Sequence, residues 1–310
     1  MVFTVKKKLS IILIAALLSG GLYCVLRYHF YFQAAKRQQV ALAAKKAAWQ
    51  RLQQRLSGQI RKFKGEVGIV VKDLRTGWEI AYNKDRLFPS ASLVKMPIMA
   101  ACFIASEEGR INLNQEIILK NSDKFSGSGT LKEMRPGVAF TIEELTGLMI
   151  YDSDNTAANM LTSMLGVDYL NNVFNSLGLR NTNLSRRIAD FYSRDRGIEN
   201  YTTAQDMALL LEHIYRRSLV NRKLSEKCLK ILKLQRVNDR LPKYLPVDVS
   251  VAHKTGLERT VCHDAGIMFS CKGDFLICVL TQHANSTAAA SKKFIARAAL
   301  QTYLYSEELL

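Results

Sequence analysis

Residues 247–280 read VDVSVAHKTGLERTVCHDAGIMFSCKGDFLICVL. Val247–His253, Ala265–Phe269 and Phe275–Leu280 are short apolar, β-branched runs, and Lys272-Gly273-Asp274 between the last two is a turn sequence. Strands joined by such short connections pair antiparallel. A second strand region lies far upstream, where Val67–Val71 and Trp78–Tyr82 flank Leu74-Arg75-Thr76-Gly77 as a hairpin. Between the two regions, residues 92–245 carry helical apolar spacing with few β-branched runs, and Thr141-x-x-Glu144 is a capping box. A last helix is expected from about Ser286 to Tyr305. The element order brings the first and last segments into one antiparallel sheet, with the helical segment inserted between its halves.

Upstream of the hairpin, Leu52, Leu56, Ile60 and Phe63 have helical spacing, so the globular domain is expected to begin near residue 47 and run to 310. Its sheet part is 47–91 with 247–310, and its helical part 92–246. Residues 27–46 read as a basic helical linker, and 1–8 as a short basic N-terminus. The uncharged stretch 9–26 would form a helix about 27 Å long, enough for a bilayer core, and predicts a transmembrane anchor. Cleavage after Ser19-Gly20-Gly21 is the rival reading, but Leu22–Leu26 continues the apolar run. A single-pass protein of the cytoplasmic membrane follows, with its domain on the outer side and the basic linker facing anionic lipid.

The 310 residues are 48% hydrophobic and 23% charged, which excludes disorder, and 17 Gly with 5 Pro exclude collagen-like architecture. The net charge of +17 is local: residues 1–65 hold 13 Lys and Arg and no acid, leaving 31 basic against 27 acidic residues in the rest. The charge excess therefore points to a membrane surface, and no nucleic-acid partner is expected. The six cysteines lack zinc spacing, and Cys271 and Cys278 read as buried thiols in an apolar strand pattern. No H-E-x-x-H or carboxylate–histidine pattern accompanies His213, His253 and His263, so neither metal nor cofactor is expected.

Three motifs carry chemistry: Ser92-Leu93-Val94-Lys95, Ser153-Asp154-Asn155 and Lys254-Thr255-Gly256. Each alone reads blandly, as a chance S-x-x-K, a helix N-cap and a strand end. Together, at a helix start, an interhelical loop and a sheet strand, they form a set. A serine hydroxyl attacks only when a neighbour takes its proton, and positions i and i+3 share a helix face, so Lys95 can serve Ser92. Lys95 can be a base only with a depressed pKa, for which a helix N-terminus and Lys254 are available. Ser153 can relay a proton to a departing nitrogen, Asn155 can hold a substrate amide, and Lys254 with Thr255 can pair with a carboxylate. Backbone N–H groups of Ser92 and of Leu257, which follows Gly256, would make the oxyanion hole.

This combination resembles the class A β-lactamase family and its serine-hydrolase relatives, including penicillin-binding proteins. The likeness extends over Leu87–Met99, Leu148–Leu161 and Val251–Phe269, and covers roughly residues 47–305. It implies an α/β (α+β) fold with a five-stranded antiparallel sheet between helices and an all-helical subdomain, the site lying in the cleft between them. It implies acyl-serine chemistry on a small-molecule β-lactam or a peptidoglycan peptide. One departure stands out. The family carries a deacylating glutamate in a loop where this chain places Ile188, and no Glu occurs between Glu144 and Glu199. The primary expectation is β-lactam hydrolysis. The alternative is a penicillin-binding D,D-peptidase or amidase with slow deacylation. A β-lactam sensor is the non-enzymatic rival, disfavoured because only eight residues precede Leu9.

Overall fold

In the computed structural model, residues 2–284 and 288–308 are described, with the side chains of 2–19, 22 and 25 outside that description. Helix α1 (Val2–Lys62) is continuous, and the chain divides between Arg51 and Leu52 into two compact units. Among the described residues no helix is long and apolar enough to cross a membrane. The expected anchor at 9–26 has most of its side chains outside the described residues.

The second unit is built on a five-stranded sheet. Strands β1 (Glu66–Asp73) and β2 (Glu79–Tyr82) form the expected hairpin. The remaining three, β7 (Ser250–Glu258), β8 (Val261–Ser270) and β9 (Gly273–Gln282), form the downstream meander. The sheet order is β2-β1-β9-β8-β7, antiparallel throughout, with Val70 opposite Cys278 and Lys254 opposite Ala265. First and last segments thus meet as the element order requires.

The strand bounds shift from the expected ones for local reasons. Val249 N donates to Pro246 O at 3.1 Å, and this turn removes Val247, which is fully exposed, from the ladder. β7 therefore begins at Ser250 and continues past Lys254 to Glu258. Cys271 is corrected too: it occupies the β8–β9 turn and is exposed, whereas Cys278 is buried in β9.

The insertion holds α2 (Lys95–Glu107), α3 (Ile142–Tyr151), α4 (Asn155–Leu165), α5 (Val167–Ser176), α6 (Phe191–Asp195), α7 (Ala204–Tyr215) and α8 (Arg222–Lys233). The Thr141–Glu144 capping box opens α3, with Glu144 N donating to Thr141 Oγ1 at 3.1 Å and Thr141 N to Glu144 Oε2 at 2.8 Å. Two short ladders went unseen in the sequence. They join β3 (Phe88–Pro89) to β6 (Tyr201–Thr202), and β4 (Glu116–Ile118) to β5 (Ala139–Thr141). At two or three residues each they carry no readable period. α2 is buried along ten of its 13 residues, so it is the central helix of the core. α9 (Ala289–Glu307) closes the unit, with Tyr305 edge-on to Phe275 of β9 at 5.8 Å.

Candidate active site

Ser92 lies in a 3-10 turn (Ala91–Val94) that runs directly into α2, whose first residue is Lys95. Ala91, just before it, has φ +45°, and Ser153 has φ +55°. Left-handed conformations cost non-glycine residues of order 1–3 kcal/mol and persist where surrounding contacts enforce them. For Ser153 those contacts are identifiable. Its neighbour Asp154 caps α4, accepting from Ala157 N at 2.9 Å, and also accepts from Leu131 N at 2.9 Å. Gly129, at φ +106°, lies so close that any Cβ would collide with Asp154. Asn155 is fixed by the same loop, its N donating to Ser128 O at 3.0 Å and its Nδ2 to Ser126 O at 2.8 Å.

The three motifs converge. Lys95 Nζ donates to Ser153 O at 2.7 Å, Asn155 Oδ1 at 2.7 Å and Ser153 Oγ at 3.3 Å. Lys254 Nζ donates to the same Ser153 Oγ at 3.0 Å and to Thr255 O at 2.8 Å. One hydroxyl therefore sits between two lysines that are 58 and 101 residues away from it in sequence. Gly256 packs the strand against the serine turn: an added methyl would meet His263 at 3.3 Å and Ala91 at 3.4 Å. Leu257, next in β7, is exposed, and Ser92 is half-buried. The Lys95 backbone N donates to Ser92 O, and among the described residues the hydrogen-bond partners of Lys95 Nζ are Ser153 and Asn155.

Both lysines are fully buried. Burial lowers the Lys95 pKa to about 7, with Asp154 and Glu258 pulling it back up. Burial also takes Lys254 well below its ordinary value, followed by repulsion from Lys95 and Arg240, against the attraction of Asp264. Desolvation, more than the helix terminus or the second cation, prepares Lys95 to accept a proton.

Sequence reasoning missed the far side of the strand. His253 Nδ1 lies 2.9 Å from Asp264 Oδ1, a buried pair reached diagonally across β7 and β8. No sequence pattern announces this pair, since register, unlike spacing, brings the two together. Arg240 was also unforeseen: it is buried, its Nε lies 3.2 Å from Cys262 Sγ, and it adds a third cation near Lys254. His263 Nε2 lies 2.8 Å from Pro89 O, and its Nδ1 accepts from Thr281 N at 3.2 Å. Burial lowers its pKa to about 4, so it is a neutral ring protonated on Nε2 that ties β8 to β3, just ahead of the serine turn.

The loop between α5 and α7 contrasts with this polar centre. Ile188 is buried, and its backbone is clamped to α4 by both ends of one amide: Ile188 N donates to Asn159 Oδ1 and Asn159 Nδ2 to Ile188 O, each at 2.9 Å. Asp190 takes hydrogen bonds from Ser193 N and Oγ at 3.0 and 2.6 Å. Glu199 pairs with Arg186 at 2.6 Å, and Arg186 and Arg194 also reach Glu258 of β7 at 3.3 and 3.7 Å. The nearby carboxylates are thus committed to structure. Among the described residues no group of three or more potential metal ligands occurs.

This fold and this convergence define a serine-hydrolase scaffold of the β-lactamase type. Residues 50–306 match the β-lactamase enzyme family, and the chain belongs to it. The β-lactamase of Streptomyces albus G is 28% identical over 260 residues, covering 80% of this chain and 82% of that protein. The β-lactamase of Rhodobacter capsulatus is 32% identical over 133 residues, and there the match spans 45% of the relative. Among solved structures, a β-lactamase from Sphaerobacter thermophilus superposes with TM-score 0.74 at 28% identity, over 86% of this chain and 97% of that one. PBP-A superposes with TM-score 0.77 at 27% identity, over 83% and 96%. A PBP-A mutant solved as an acyl-enzyme with penicillin G gives 0.76 at 28%, over 85% and 97%. The protein is therefore an enzyme, a serine hydrolase of β-lactamase type.

Proposed function

We propose that this enzyme forms an acyl-serine on Ser92 with β-lactams and releases it slowly. The observation that carries the reading is a buried lysine with a pKa near 7 in reach of a hydroxyl shared with a second buried lysine. Ser92 Oγ attacks the lactam carbonyl carbon, and its proton passes to neutral Lys95. The tetrahedral oxyanion is held by the N–H groups of Ser92 and Leu257. As the C–N bond breaks, the proton travels from Lys95 through Ser153 Oγ to the departing nitrogen. Asn155 orients the substrate amide, and Lys254 and Thr255, with Gly256 allowing close approach, hold its carboxylate. Hydrolysis of the ester then needs a base for water, and the position expected to supply it is Ile188.

A second reading, a D,D-peptidase or amidase acting on peptidoglycan peptides, draws support from that same apolar position and from the likeness to PBP-A. Intact-mass spectrometry of the full chain during turnover of a chromogenic cephalosporin tests both. A persistent mass increase at Ser92 with slow product release is expected. Rapid steady-state turnover without adduct would overturn slow deacylation.

We further propose that residues 9–26 anchor the chain in the cytoplasmic membrane, with domain 47–310 outside and the basic linker 27–46 against anionic lipid. Support comes from the uncharged run and from the exposed Tyr23, Tyr28, Phe30, Tyr31 and Phe32 at its end, residues suited to a membrane–water interface. Full-length protein should stay with membranes through an alkaline carbonate wash, and release by it would sink the anchor.

A further inference from the structure

Ile188 has a neighbour whose chemistry the reaction above leaves unused. Arg187 is exposed, and its guanidinium lies 5.8 Å from the centre of the Phe125 ring, reaching from the α5–α7 loop to the loop that covers Ser153-Asp154-Asn155. Phe125 is itself fixed there, its N donating to Thr156 Oγ1 at 3.0 Å. The following residue, Ser126, supplies the carbonyl that holds Asn155 Nδ2. On the other side, the Ile188–Asn159 clamp fixes the backbone next to Arg187 on α4, one turn beyond Asn155. The guanidinium thus spans two braced loops, one of which also holds Asn155.

Its charge has no ion-pair partner among the described residues, and its effect on Asp190 is a minor share in lowering that pKa, behind the Ser193 hydrogen bonds and Arg186. Arg186 and Arg194 are offset by Glu199 and Glu258. Asp190, the carboxylate nearest in sequence, accepts from Ser193 N and Oγ. Among the described residues no carboxylate pairs with Arg187. A planar cation stacked on an aromatic ring keeps its outward N–H edge free for a carboxylate.

We propose that Arg187 is a specificity-determining residue that selects substrates whose amide side chain bears a carboxylate. The inference rests on the acyl-serine reading and names the substrate subclass of the same site. An anionic side chain held at Asn155 would extend towards Arg187, so the ion pair forms in the cleft mouth and speeds acylation of such substrates over neutral ones.

Carbenicillin and benzylpenicillin test this directly, because they differ by one side-chain carboxylate. Second-order acylation rate constants are measured on the full-length chain in detergent, and the carbenicillin-to-benzylpenicillin ratio is compared between variants. A loss of folded protein lowers both rates and leaves the ratio alone. Arg187→Gln is expected to lower the ratio about three- to fivefold, the size of a partly exposed charge pair. Arg187→Glu lowers it further, Arg187→Lys retains most of it, and the wild-type ratio falls in concentrated salt. An equal ratio in wild type, Arg187→Gln and Arg187→Glu, with Ser92 still labelled, overturns the inference while leaving acyl-serine chemistry intact. Failure of both drugs to label Ser92 overturns that chemistry and this inference with it.

Discussion

Two regions of the helical insertion are built on opposite plans. Around Ser153, two buried lysines, a strained backbone and a capped helix start are held by a dense set of hydrogen bonds. Around Ile188, an equally well-clamped loop presents an apolar side chain. The loop is not degraded: its backbone bonds, its buried Arg186–Glu199 pair and its capping Asp190 are all in place. Structure and catalysis are therefore separable there.

The largest expected effect lies on the polar side. Ser92→Ala should abolish covalent labelling by a fluorescent penicillin, and labelling that persists would displace the nucleophile to another residue. Next comes the apolar side: Ile188→Glu should accelerate loss of the acyl adduct by about 10²-fold, the scale of a positioned general base. An unchanged adduct lifetime in stopped-flow chase experiments would show that another group limits deacylation. A smaller effect follows from Lys95, which must be neutral to accept the serine proton. With its pKa lowered to about 7, acylation should fall about tenfold per pH unit below that value and level off above it. A profile flat from pH 5 to 8 would exclude Lys95 as the base. Smallest is the clamp: Asn159→Ala leaves Ile188 N and O without their partner, and should cost about 1–3 kcal/mol in urea unfolding. A loss of under half a kcal/mol would mean the loop is held by its ion pairs instead.

Much of this arrangement is legible in residue order. Apolar runs and turn residues mark the five strands, and Thr141 and Glu144 mark the opening of α3, because both signals are local. The three motifs are equally readable, and all reach one place. What stays hidden depends on register and depth. His253 and Asp264 are 11 apart in sequence and meet only because β7 and β8 pair with Thr255 opposite Asp264. The Lys95 amine bonds to Ser153 and Asn155, 58 and 60 residues away, a tertiary fact absent from i, i+3 spacing. Arg240 looks like one more surface cation until the sheet buries it. Cys271 shows the converse error: an apolar neighbourhood does not distinguish a strand from the tip between two strands.

The placement of β1 between β2 and β9 bears on how the molecule is made. The hairpin emerges from the ribosome early, yet the inner edge of β1 finds its partner only once residues 275–282 have been synthesised. Until then the hairpin exposes an unsatisfied ladder, and closure over some two hundred residues is slow. Assembly of the buried lysine pair waits on the same event, since Lys254 belongs to the late-arriving meander. On the proposed mechanism, a chain that has not yet laid down β7 has no Lys254 to share the Ser153 hydroxyl with Lys95.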